Sequence, residues 1–284
     1  MTITSMGDAL EEGTYIVHSS FRNVVNFVKR DDPTSVPLVS VVTEEIGAGS
    51  VNIVCSGFDA SDIKALRISQ QGVRINNRQI DIGRSQRYSS KIEIPQHAAK
   101  CLEQQRAFCE TALVQSAPRK SLAFLLDDQR RDDFRSGFEQ AVAEKLWMGV
   151  SELFHGDFFG GVHLMKGVGF GLTPSGDDFL VGLLLGLWVI QQVYQQEMSV
   201  VQDQVYQIAK SQNLLSNTFL YCAKEGLLFE RWKAFLLLLF FAEEDAIRAA
   251  LQRVLSMGET SGADAAVGFL LTLKNIRFAT KARR

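Results

Sequence analysis

The chain has little of what marks several protein classes. It has four cysteines in 284 residues, Cys55, Cys101, Cys109 and Cys222, and no C-x-x-C pair. That excludes a disulfide framework and the usual thiolate zinc spacings, and it fits a reducing cytoplasm. Its four histidines, His18, His97, His155 and His163, are scattered, and only His155 and His163, with Asp157 between them, hint weakly at a metal. Basic excess is absent: net charge is −2 and the pI is about 6.1, so the footprint of a nucleic-acid binder is missing. One basic cluster, Arg277, Lys281, Arg283 and Arg284, reads as a solvated helix end. The stretch Met1 to Glu12 lacks the basic-then-apolar pattern of a signal peptide. The longest apolar runs, Phe179–Ile190 and Ala234–Ala242, fall short of the ~20 residues that span a bilayer and read as helices buried on all sides. There is no P-loop, nucleophile elbow, H-E-x-x-H or zinc site.

What is present is an ordinary globular composition, 46% hydrophobic and 22% charged, in a length that suits two domains. Short β-branched runs bounded by Gly, Pro and Ser fill the first third: Tyr15–Val17, Leu38–Val42 and Val51–Val54. Val73–Ile75 and Gln79–Ile82 around Asn76-Asn77-Arg78 read as a hairpin, Ile92–Ile94 as a last strand, and Ser20–Lys29 as a short helix. After Pro95 the spacing turns helical, over Ala98–Gln115, Asp132–Phe154, Asp177–Val193, Val200–Lys210, Asn213–Glu225, Glu230–Phe241, Asp245–Leu255 and Ala263–Leu273. The expected fold is α+β: a small antiparallel β barrel or sandwich over residues 10–95, then an all-helical domain over 96–284. A βαβ alternation is absent, which argues against a doubly wound nucleotide fold.

A motif occurs twice. Gly171-Leu-Thr-Pro-Ser-Gly-Asp-Asp178 leads into one apolar run, and Gly258-Glu-Thr-Ser-Gly-Ala-Asp264 into another. Aligning Ser175 with Ser261 also aligns Gly176 with Gly262, Asp178 with Asp264, Val181 with Val267 and Gly182 with Gly268. Each copy reads as a turn feeding a buried helix, with Ser or Thr as cap and an acid in the first turn. Free N–H groups and the positive dipole end make such a start an anion site. Seven glycines between Gly156 and Gly176 add special backbone angles or close approach. The candidate site is therefore an anion cradle of Lys166, Gly169, Gly171, Thr173, Ser175, Gly176 and Asp177 with Thr260, Ser261 and Gly262, at which Asp178 and Asp264 are candidate catalytic acids. For each acid the plain alternative is a helix-start charge that gains from the dipole, favoured for Asp177, which aligns with Ala263. The functional roles are proton acceptor or ligand of a Mg²⁺ that carries a phosphate. No cofactor is otherwise implied, and no metal site is assigned.

The string Gly-Val-Gly-Phe-Gly-Leu-Thr-Pro-Ser-Gly-Asp-Asp-Phe-Leu-Val-Gly at 167–182 resembles the signature of a bacterial family whose best-understood branch is the AllH-type subunit of oxamate carbamoyltransferase, in anaerobic allantoin breakdown. Thr260-Ser261-Gly262-Ala263-Asp264 is similar to the family's later Thr-Ser-Gly-x-Asp. Asn23–Phe27, Leu38–Val41 and Ile46–Gly49 echo its N-terminal half, while Gly169-Phe170-Gly171 and Gly49-Ser50 depart from its Gly-Pro-Gly and Gly-Pro. The resemblance implies a carbamoyl-transferring complex: oxalurate plus phosphate gives oxamate and carbamoyl phosphate, shared with FdrA-like and other partner subunits. Such small anions suit helix N-termini. Two other readings stand beside it. One is a ribokinase-like phosphotransferase, on the likeness of these helix starts to a Gly-Ala-Gly-Asp motif. The other is a non-catalytic assembly subunit that binds an effector. The shared-pocket expectation is specific: the helix starts at Ser175 and Ser261 should lie together.

Overall fold

The computed structural model describes residues 1–30, 36–80, 82 and 85–275. Two compact units divide the chain, one of Met1–Lys91 with Leu227–Glu230, the other of Ile92–Gly226 with Arg231–Arg284. The first is a curled nine-stranded sheet, and the second is helical.

In the first unit β1 (Thr2–Met6), β2 (Gly13–Phe21), β3 (Val24–Lys29), β4 (Val39–Thr43), β5 (Asn52–Ser56), β6 (Ala65–Ser69), β7 (Gly72–Ile75), β8 (Arg78–Ile80) and β9 (Gln86–Arg87) lie in the order β8-β7-β6-β2-β3-β4-β5-β1-β9. Most neighbours are antiparallel, but β4 with β5 and β1 with β9 are parallel, so the sheet is mixed rather than wholly antiparallel. It curls around a core of its own that includes Ile3, Val25, Phe27, Val41, Ile53 and Val73. No α-helix connects two strands among the described residues, which leaves the ribokinase reading without its fold.

The expected helix over Ser20–Lys29 is instead the β2–β3 hairpin, with Phe21 paired to Val24. The segment carries Val24, Val25 and Val28, and it finds ladder partners on both sides, β2 and β4, which no isolated helix could match. Residues Ile92–Ile94 form no strand. The true last strand is the short β9, and β1 and β6 have no expectation at all in the sequence reading. The Asn turn forms as expected: Ile75 pairs with Arg78, and Asn76, the first of the two turn residues, takes the left-handed φ of +55. Asp81 of that hairpin, and the basic tail, lie outside the described residues.

The helical unit holds α1 (Ala98–Ser116), α2 (Gly137–His155), α3 (Phe158–Met165), α4 (Ser175–Tyr194), α5 (Ser199–Ala209), α6 (Leu214–Lys224), α7 (Glu230–Phe241), α8 (Glu244–Leu255) and α9 (Ser261–Lys274). Helix α2 starts later than expected because Asp128–Asp133 forms a 3-10 turn, and Ser136 with Glu139 then makes a capping box. Part of the glycine-rich stretch is helix α3, where Gly161 lets the turn come against α2: a Cβ there would meet the Leu153 amide nitrogen at 2.5 Å. Helix α4 is long and apolar enough, by length and composition, to cross a membrane, yet most of it is packed inside this unit. Helix α7 is buried on one face only, with Phe241 exposed, which corrects the expectation of burial all round.

Candidate functional site

The two copies of the repeat become α4 and α9, and they pack against each other along their length. Gly182 and its equivalent Gly268 make this possible. A Cβ on Gly182 would stand 1.9 Å from the Ala265 carbonyl oxygen and 2.7 Å from the Phe269 amide nitrogen. A Cβ on Gly268 would stand 2.1 Å from the Phe179 oxygen and 3.2 Å from the Leu183 nitrogen. Phe179 aligns with Ala265 and Leu183 with Phe269, so the contacts are reciprocal, as a local pseudo-twofold requires. One turn on, Gly186 faces Phe269 and Thr272. The two helices therefore run in the same direction, and their N-termini meet.

At that meeting point the polar contacts cross from one copy to the other. Thr173 Oγ1 donates to Asp178 Oδ2 at 3.0 Å and lies 3.1 Å from Ser261 Oγ. Ser261 also hydrogen-bonds toward Asp178, while its counterpart Ser175 lies against Asp264. Each serine thus serves the other copy's aspartate. The Leu122 amide, at the start of the 3-10 turn Leu122–Leu125, donates to Asp264 Oδ1 at 2.6 Å. Ser175 and Thr260 stand beside the same carboxylate, but Oδ2 is buried without a hydrogen-bond partner. Asp264 is 0% exposed, and Asp178 and Ser175 are each 6% exposed. Thr173, Thr260 and Ser261 are half-buried.

Burial drives the electrostatics. It pushes the Asp264 carboxyl up to about 7, against the Leu122 amide and the Ser175 and Thr260 hydroxyls, which favour the ionised form. Asp178 is raised well above the usual carboxylate range, first by burial and next by the charge of Asp264, while Ser261 and Thr173 work the other way. The Asp264 charge thus bears on Asp178 across the crossing, and both carboxyls favour their protonated forms.

The other residues expected in the cradle take mixed places. Asp177 is 1% exposed and accepts the Gly167 amide at 2.7 Å, so it fixes the preceding loop. Lys166 donates to the Ile208 carbonyl at 2.9 Å, near the negative end of α5, and is bound there rather than at the helix starts. Gly169 has φ +129, and a Cβ on it would meet the Ser175 nitrogen at 2.4 Å; Gly171 has φ +86. These glycines let the loop fold back over α4. The Gly176 amide donates to Val168 O at 2.7 Å and the Gly262 amide to Met257 O at 2.9 Å, so these two N–H groups hold their own loops. The sequence reading missed Leu122, which lies 142 residues from Asp264 and carries no motif. It also missed Asn213, which caps α6 and donates to Leu172 O at 2.7 Å, although an Asn before a helix is a readable cap signal. An open cleft of about 660 Å³ lies on α2, lined by Arg131, Phe134, Arg135 and Gln140, and none of the expected site residues lines it.

A family model described as oxamate carbamoyltransferase subunit AllH matches residues 165–273. Over that stretch the chain is similar to the AllH family. The matched stretch runs from the end of α3 nearly to the end of α9, so it contains both Ser-Gly-x-Asp starts and the Gly182–Gly268 crossing. The N-terminal echoes at Asn23–Phe27, Leu38–Val41 and Ile46–Gly49 lie outside it. No curated protein and no solved structure gives a significant match to the chain.

Proposed function

We propose that this chain, a subunit of an oxamate carbamoyltransferase type of complex, supplies at the joined starts of α4 and α9 the centre that handles a small anionic substrate. The substrate set is oxalurate, oxamate, phosphate and carbamoyl phosphate, and the partners are FdrA-like and other subunits. The observation that carries the reading is the reciprocal Ser–Asp crossing, two raised carboxyls at paired helix N-termini inside the matched region. A buried carboxyl that keeps its proton near neutral pH is matched to acid–base work.

The chemistry follows. A phosphate oxygen attacks the carbamoyl carbon of oxalurate and forms a C–O bond. The C–N bond to oxamate then breaks, and the leaving nitrogen takes the proton of the protonated member of the Asp178–Asp264 pair. The carboxylate left behind is reprotonated from solvent. Charge on the tetrahedral oxygen is met by the positive ends of two helices. A resident Mg²⁺ does not fit these residues well. Only two carboxylates converge, among the described residues no three acidic, His or Cys side chains gather, and both helix dipoles oppose a cation. No step is assigned to a metal.

The test is phosphorolysis of oxalurate by the chain purified with its co-purifying subunits. Asp178→Asn should lose activity at least a hundredfold with the complex still assembled; full activity in that variant would refute the assignment.

A further inference from the structure

Asp264 is buried, so the groups packed around it decide when it ionises. From α4, Ser175 bonds its carboxyl and Asp178 feels its charge; from the turn before α9, Thr260 bonds it. Glu110 of α1 pairs with Arg106 and with Lys274 at the far end of α9, Arg248 of α8 lies over the Phe108 ring, and Arg253 of α8 is exposed. The remaining donor is a backbone group, the Leu122 amide at 2.6 Å from Asp264 Oδ1. The turn that delivers this amide is held at both ends. Arg130, on the 3-10 turn Asp128–Asp133, is half-buried and donates to three backbone carbonyls: Val114 in the last turn of α1, Ala117 at 2.7 Å and Pro118 at 2.8 Å. A planar fork of donors suits the unpaired carbonyls and negative end of a helix. Ser121 Oγ donates back to the same Pro118 carbonyl at 2.7 Å. Between them Lys120 takes φ +59, a left-handed angle on a residue with a Cβ, and its ammonium is tied to Glu139 of the α2 capping box at 2.6 Å. A strained residue of this kind persists where its surroundings over-determine it. The next donor along the chain is the Leu122 N–H.

We propose that Arg130 is a positioning residue of the centre: by locking residues 117–121 onto the end of α1 it holds the Leu122 amide on Asp264 Oδ1, and so sets the pH at which that carboxyl gives up its proton. An N–H donor favours the ionised form, so a loosened turn leaves Asp264 protonated to higher pH. This rests on the function proposed above for its purpose, since the acid that serves the leaving nitrogen must be charged and discharged near neutral pH. The geometry itself does not depend on that function.

The test follows the urea midpoint of the full chain from pH 4 to pH 9.5. In wild type the midpoint should fall with pH and level off once the folded value of about 7 is passed. Leu122→Pro deletes the amide. Ser121 before it is extended, with φ −79 and ψ 168, as a residue before proline must be, and Leu122 opens a 3-10 turn, where the fixed angle of proline is tolerated. Lost packing of the leucine side chain lowers the midpoint equally at every pH. Loss of the donor should move the levelling-off point up by about one pH unit, the scale of one hydrogen bond. Arg130→Lys keeps the charge at the end of α1 but loses the fork, and should move the same point upward by a smaller amount. Neither substitution should change the shape of the pH curve when Asp264→Asn is also present. A levelling-off point that stays fixed in Leu122→Pro overturns the inference. So does an Arg130→Lys chain whose midpoint drops equally at all pH values, because Arg130 is then a helix cap alone. A shift that survives in the Asp264→Asn background belongs to another group and overturns it too. Full phosphorolysis by Asp178→Asn, with these shifts present, removes the proposed function and leaves the positioning role of Arg130 supported.

Discussion

Asp264→Asn should make the helical unit more stable, and more so as pH rises. Asp264 is fully buried, and its carboxyl is raised from 3.8 to about 7. Below the unfolded value both states hold the proton and the group contributes no difference. Between about 4 and 7 the folded state keeps a proton that the unfolded state has lost, so stability falls as pH rises through that window, and it levels off above the folded value. At about 1.4 kcal/mol per pH unit, a rise of roughly three units makes the ionised group cost on the order of 4 kcal/mol above pH 8. Of that, about 2–3 kcal/mol should develop between pH 5 and pH 8. Asparagine has no such cost. Its oxygen can still accept the Leu122 amide, and it removes the charge that acts on Asp178. Urea unfolding followed by tryptophan fluorescence is the assay, since Trp147, Trp188 and Trp232 all lie in the helical unit. The variant should gain on wild type by on the order of 2–3 kcal/mol more at pH 8 than at pH 5. A gain that is the same at both pH values, or a loss that grows with pH, refutes the argument.

Gly268→Ala should destabilise by roughly 3 kcal/mol or more, because its Cβ would stand 2.1 Å from the Phe179 carbonyl and neither helix can move without the other; urea midpoints would show it, and Gly182→Ala should do the same at the reciprocal contact. Ser136→Ala removes half of the α2 capping box and should cost about 1 kcal/mol, with no change in oxalurate phosphorolysis by the complex. Lys166→Met loses the bond to the Ile208 carbonyl; a stability loss of about 1 kcal/mol with KM for phosphate unchanged is expected, and a large rise in that KM would return Lys166 to the site.

The amino-acid order by itself determined the change from strand to helix near Pro95, the extent of α7, the Asn76 turn and the twofold motif, because each rests on local periodicity or on one residue's backbone preference. It also carried the family resemblance, since the 167–182 string is contiguous and the family match falls on it. Local reading failed where pairing decided the outcome. Residues 20–29 could bury their valines as strand or helix, and only flanking strands β2 and β4 selected the hairpin. The parallel β4–β5 pair is invisible in either strand alone. At the site, the sequence placed Ser175, Ser261, Asp178 and Asp264 at helix starts, where each could be a cap that binds nothing. Tertiary packing brought the starts together through Gly182 and Gly268, crossed the serines to the opposite aspartates, and buried both acids beside the Leu122 amide. A helix start in water is an anion site. The same start packed against another, with a carboxyl from each sealed between them, becomes a place that holds protons, because burial and like charge are properties of the assembled pair and of neither segment alone.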